Sequence, residues 1–212
     1  STLKRRIASI KVIHKMKGHY LDSNHPIIME NLLGIKRVNG AYQKSKKPLL
    51  INHLKTIIKV LDEKEKNETK RIRNKSLILL GFSGGFRRSE LVNLDYDDLE
   101  FVDEGLKIFI KRSKTDQAGE GSIKAIPYFN NEEYCPVIKM KDWIRYRNIT
   151  EGKIYNISDK SVSLTIKKYA SLAGLDPNLY GGHSLRSGFA TSAAEAGAEE
   201  RNIMAMTGHK TT

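Results

Sequence analysis

LEFVDEGLKIFIKR, residues 99–112, is where the chain changes its period. Apolar residues alternate with polar ones on both sides of the short turn DEG, the pattern of a two-stranded antiparallel hairpin. IKAIP, residues 123–127, follows a polar, Gly-containing loop and reads as a third strand. Everywhere else the apolar spacing is helical. Leu50, Leu54, Ile57, Ile58 and Leu61 form one stripe, and Ile72, Leu77, Leu79 and Leu80 lie on a second helix that stops at Ser83, Gly84 and Gly85. Downstream, residues 137–147, 161–172, 184–196 and 199–206 have the same spacing. The expected fold class is α+β: mainly α with a small antiparallel β-sheet.

Upstream of Leu49 the organisation changes. Leu3, Ile7, Ile10 and Ile13 recur three and four residues apart among Lys4, Arg5, Lys11 and Lys15, which predicts a helix with one buried stripe and a basic outer face. A second helix is expected from Pro26, a favourable first position. Two helices are too few for a domain, so residues 1–39 read as the end of one. Residues 40–48 read as an exposed linker, with residues 49–212 as the next domain.

The 212 residues carry 37 Lys and Arg against 24 Asp and Glu, a formal net charge of +13, which makes a polyanion such as nucleic acid the natural partner. No apolar run reaches the roughly 18 residues of a membrane span. The N-terminal stretch is too charged for a secretory signal, and the single Cys135 cannot form an internal disulfide. A reducing, cytoplasmic location is expected. No Cys/His cluster has zinc spacing, and no metal or cofactor is implied.

Two segments carry chemistry. In GGFRRSEL, residues 84–91, Arg87 and Glu90 share a helical face just after a Gly-Gly turn that admits close approach of the backbone to a ligand. Alone, such a pair is most often a surface ion pair. In GGHSLRSGFATSAAEAG, residues 181–197, His183 starts a helix and Arg186 follows one turn on, so both can converge on an anion near the positive helix end. Small residues along this helix permit tight packing. TGHKTT then offers His209.

This ordered set resembles the tyrosine recombinases, also called the phage integrase family, from Pro48 to the end, and more weakly upstream, where residues 1–39 look like the last helices of that family's core-binding domain. The resemblance places the first active-site Arg on Arg87 rather than Arg88, its acidic companion on Glu90, the H-x-x-R box on His183 and Arg186, and the later His on His209. Its Lys falls best on Lys114 in RSKTDQ, with Lys111 and Lys124 as rivals. The family nucleophile is a Tyr a short way beyond the G-H element. None of the nine Tyr occupies that position, and the sequence ends at Thr212, three residues after His209. The chain is therefore expected to lack the nucleophile and to be inactive as it stands.

The resemblance implies a site-specific enzyme that breaks and rejoins double-stranded DNA through a 3′-phosphotyrosyl link, without metal or ATP, acting as a homotetramer on paired sites. The alternative is a non-catalytic DNA-binding protein that retains the recombinase fold.

Overall fold

In a computed structural model of the chain, residues 2–40, 45–111 and 121–208 are described below. The chain divides into two compact units, 1–44 and 45–212. The first holds α1 (Thr2–Met16) and α2 (Pro26–Asn39). The His25 imidazole caps α2 by accepting the Ile27 N–H at 3.3 Å, and Pro26 supplies a first position that needs no hydrogen bond. None of the described residues of this unit is buried, and Ile10 and Ile13 of the expected buried stripe are exposed. The correction has a simple cause: two helices do not enclose a core.

The second unit runs α3 (Ile51–Lys64), α4 (Glu68–Ser83), α5 (Arg88–Val92), a 3₁₀ turn (Tyr96–Asp98), β1 (Leu99–Val102), β2 (Gly105–Ile110), β3 (Ser122–Pro127), α6 (Pro136–Arg147), α7 (Asp159–Leu172), α8 (Gly182–Glu195) and α9 (Glu200–Thr207). Its fold class is the one expected, mostly helical with a three-stranded antiparallel sheet in the order β1-β2-β3. Phe109 pairs with Ile123 and Ile108 with Lys124 across the β2/β3 ladder.

The core sits around α4, which packs against α3, α6 and α8. Leu77, Ile78, Leu79, Leu80 and Phe82 are all buried, so this helix is covered nearly all round. The α3 stripe of Leu54, Ile57, Ile58 and Leu61 closes one side. The last residues of the stretch read as a linker belong to this unit. The Lys47 N–H donates to the Leu179 carbonyl at 2.8 Å and the Leu49 N–H to the Ser184 carbonyl at 2.9 Å, and Leu49 is fully buried. Extended backbone here pairs with α8, because Gly188 has no side chain to hold it off; a Cβ at Gly188 would run into the Leu49 carbonyl.

A polar network ties α3 to α4 and α7. The Tyr169 hydroxyl and the Lys168 ammonium both donate to Glu65 Oε2, and Asn74 Nδ2 donates to the Tyr169 oxygen at 3.2 Å. The Lys168 and Tyr169 hydrogen bonds hold the Glu65 carboxyl down at about 2 from an ordinary 4.5.

Two outcomes follow from this packing. Gly188→Ala is expected to destabilise the protein by about 2–3 kcal/mol, because the obstacle is backbone and cannot swing away; urea unfolding monitored by circular dichroism measures it. A carboxylate whose folded pKa is depressed contributes stability that is present above its unfolded value and lost as pH falls through its folded one. The Tm difference between wild type and Glu65→Gln should therefore be full above about pH 4.5 and shrink toward pH 2. A difference that stays constant over that range contradicts the network.

Candidate active site

The Gly84–Gly85 turn ends α4, and Gly85 has φ +55°, a conformation that favours glycine. The turn presents two consecutive carbonyls to two cations. Arg186 Nη1, from the first turns of α8, donates to the Gly85 oxygen at 2.9 Å, and Lys124 Nζ, from β3, donates to the Gly84 oxygen at 2.7 Å. Lys124 also donates to the Met206 oxygen in the last turn of α9 and lies 4.9 Å from the Phe86 ring centre.

Arg87 follows the turn and immediately precedes α5. Glu90 holds it twice: Oε2 accepts the Arg87 backbone N–H at 2.8 Å, and Oε1 accepts from Arg87 Nη1 at 2.7 Å. The carboxylate thus fixes both the start of α5 and the direction of the guanidinium. Arg87 Nη2 reaches the Gly208 carbonyl at 3.3 Å, just past α9. Among the described residues, Arg87, Lys124 and Arg186 are gathered about one carboxylate, Glu90, so these groups carry two more positive charges than negative.

Burial makes that excess costly. Arg186 is 3% exposed, and desolvation, helped by repulsion from Arg87 and opposed by Glu90, pushes its pKa down to about 10. Desolvation likewise pushes Lys124, 6% exposed, down to about 8; Glu90 resists this while Arg186 and Arg87 add to it. Arg186 Nη2 is buried with no hydrogen-bond partner among the described residues. A buried guanidinium N–H without an acceptor is an unfavourable arrangement that an anion would relieve.

The structure thus brings Arg87, Glu90 and Arg186 together. His183 is the second residue of α8, exposed, three positions before Arg186. Lys114 and His209 lie outside the described residues. Arg88 turns elsewhere: its Nη1 donates to Ser163 Oγ at 3.1 Å, and its stem fills the space a Cβ at Gly182 would need. Lys111 does not lie within the strand, as its sequence position suggests, but just past the end of β2. It is paired with Asp98 at 2.8 Å and Asp95 at 3.2 Å. Lys124, one of the two rivals to Lys114, is the lysine that the described residues bring into this cluster. Its signal was strand alternation, since it shares a face with the buried Ile126.

The sequence pattern of the phage integrase family matches residues 48–212. This chain belongs to that family. An integrase/recombinase XerD homolog of Selenomonas ruminantium is 39% identical over 225 residues, covering 99% of this chain and 65% of the relative. A tyrosine recombinase of Agathobacter rectalis is 32% identical over 217 residues, covering 98% and 68%. The chain thus spans about two thirds of the length of these phage integrase family relatives.

Among solved structures, the XerH site-specific recombinase bound to difH substrate, in a pre-cleavage complex, matches with a TM-score of 0.66 at 20% identity, over 82% of this chain and 50% of that one. The XerA recombinase matches with a TM-score of 0.63 at 17% identity, over 98% and 75%. The phage integrase fold is shared at these distances. No helix among the described residues is long and apolar enough to cross a membrane.

A buried guanidinium N–H with no acceptor among the described residues should bind small oxyanions. Phosphate or sulfate is expected to raise the Tm above that in chloride of equal ionic strength, since a ligand that binds only the folded state stabilises it by mass action. Arg186→Met should abolish the increment. Scanning calorimetry reads both, and an equal increment in the variant would mean that the anion binds elsewhere.

Proposed function

We propose that this chain is the strand-cleaving and rejoining part of a site-specific DNA recombinase, and that the Arg87/Arg186 cluster receives the scissile phosphodiester. The observation that carries the reading is the buried Arg186 Nη2, which has no hydrogen-bond partner among the described residues, in a cluster where those residues leave a surplus of positive charge. Duplex DNA as the partner is supported by the net charge of +13 and by the relatives' recombinase names.

The chemistry is a transesterification. A tyrosyl oxygen attacks phosphorus, the bond from phosphorus to the 5′-oxygen breaks, and a 3′-phosphotyrosyl link and a free 5′-hydroxyl result. Reversal with a different 5′-hydroxyl joins new strands. The number of phosphodiester-level bonds is conserved, so no ATP is consumed. The pentavalent transition state gathers negative charge on the non-bridging oxygens, and Arg87 and Arg186 offer rigid donor forks to it. Glu90 keeps the Arg87 fork aimed.

By family resemblance, His183 takes the phenolic proton or bonds the phosphate, His209 adds a donor, and Lys114 protonates the leaving 5′-oxygen. The attacking Tyr in that family lies past the G-H element, a position that no residue of 1–212 matches. Chain 1–212 is therefore expected to bind DNA without cleaving it.

The test is a nicked suicide substrate run on a denaturing gel with the whole protein. Wild type should trap a covalent protein–DNA product. Arg186→Ala should reduce trapping by roughly 10²–10³-fold, the usual effect of losing one transition-state charge donor, while DNA affinity stays within a few fold because one phosphate contact among many is lost. A whole wild-type protein that binds its DNA site yet traps nothing would favour a DNA-binding protein without chemistry.

A further inference from the structure

Lys124 is a buried charge on an edge of the sheet that the proposed chemistry does not use. Its position inverts the usual strand pattern. Ile123, its neighbour, is 68% exposed, while Lys124 points inward with Ile126. Turning an isoleucine out and an ammonium in is unfavourable by itself, and such local conflicts are retained where something else depends on them.

What depends on it is visible in its two acceptors. The Gly84 carbonyl belongs to the C-terminal end of α4, and the Met206 carbonyl to the last turn of α9. Both lie at negative ends of helix dipoles, where the last carbonyls of a helix lack intrahelical partners as a rule, so one ammonium caps two helices at once. The charged groups facing it are Glu90 on α5, Arg87 ahead of α5 and Arg186 on α8. Arg87 makes a second tether two residues further on, at the Gly208 carbonyl. Between the two tethers lies Thr207, fully buried, whose hydroxyl donates to the Ile203 carbonyl at 2.7 Å. The end of α9 is held from two sides, by β3 through Lys124 and by the α5 start through Arg87.

We propose that Lys124 is a positioning residue: its ammonium fastens the C-terminal end of α9 to the Gly84–Gly85 turn, so that the chain passes the anion site at Gly208. Gly208, the last of the described residues, is thereby held beside Arg87. Two of the three N–H groups of Lys124 are directed at protein carbonyls, which suits it to holding backbone rather than to donating a proton to substrate. Only the catalytic consequence rests on the proposed function; the fastening itself does not.

The experiment has two arms on the whole protein, comparing wild type, Lys124→Met and Lys124→Arg. In the first arm, without DNA, hydrogen exchange of residues 203–208 should be at least about tenfold faster in Lys124→Met, with α3 and α6 unchanged, and should return toward wild type in Lys124→Arg, which keeps a fixed cation. Unchanged exchange in α9, or faster exchange throughout the protein, overturns the fastening.

Should Lys124→Met fail to fold, the wild-type protein decides the question by NMR. The Lys124 Nζ protons should exchange slowly and show cross-peaks to Met206 and Gly84. A freely exchanging Nζ with no such cross-peaks overturns the proposal. In the second arm, Lys124→Met should lose at least tenfold in covalent trapping with DNA affinity unchanged, and Lys124→Arg should recover much of it. Altered α9 exchange with normal trapping overturns the catalytic consequence. If wild type itself traps nothing, the proposed function fails while the first arm still decides the fastening.

Discussion

Two adjacent carbonyls at the end of α4 organise this molecule. A helix that stops on Gly84 and Gly85 leaves oxygens without N–H partners, and here each is taken by a cation from a distant part of the chain: Lys124 from β3 and Arg186 from α8. The same turn releases the backbone into Arg87. Strand, helix end and α8 are therefore registered against each other at one point, and the point is electrostatic.

That arrangement works against folding stability. Among the described residues three cations, two of them buried, gather about a single carboxylate, and both Arg186 and Lys124 hold their protons less tightly than they would in water. The surroundings compensate. Burial of α4 on nearly every side, the Leu49 contact that Gly188 permits and the Glu65–Lys168–Tyr169 network hold the elements that support the cluster in place. A rigid scaffold of this kind is what preorganised charge stabilisation requires, because donors that had to reorient during reaction would lose most of their effect.

Much of the second unit was legible from periodicity. Residues 99–110 alternate, α3 carries its stripe, and the helix boundaries expected after residue 136 lie within two residues of those found. The stripe on α1 misled, since Ile10 and Ile13 promise a partner that the described residues of the first unit do not supply. Lys111 and Lys124 were the harder pair. Both are lysines near the loop after β2, and composition does not separate them. Lys111 meets Asp95 and Asp98, whereas Lys124 meets two helix ends.

The sequence by itself determined the fold class, the family resemblance and the set of residue types, because helical and strand periods and the spacing of R-x-x-E and H-x-x-R are local properties of the chain. Only the tertiary structure decided which cations meet. Arg87 and Arg186 are far apart in sequence, and Arg88 and Lys111 find partners away from the cluster; those outcomes depend on how α4, α8 and β3 pack. It also decided that Arg186 would keep a buried N–H without an acceptor among the described residues. Desolvation depends on every neighbour at once, so no window of sequence contains it.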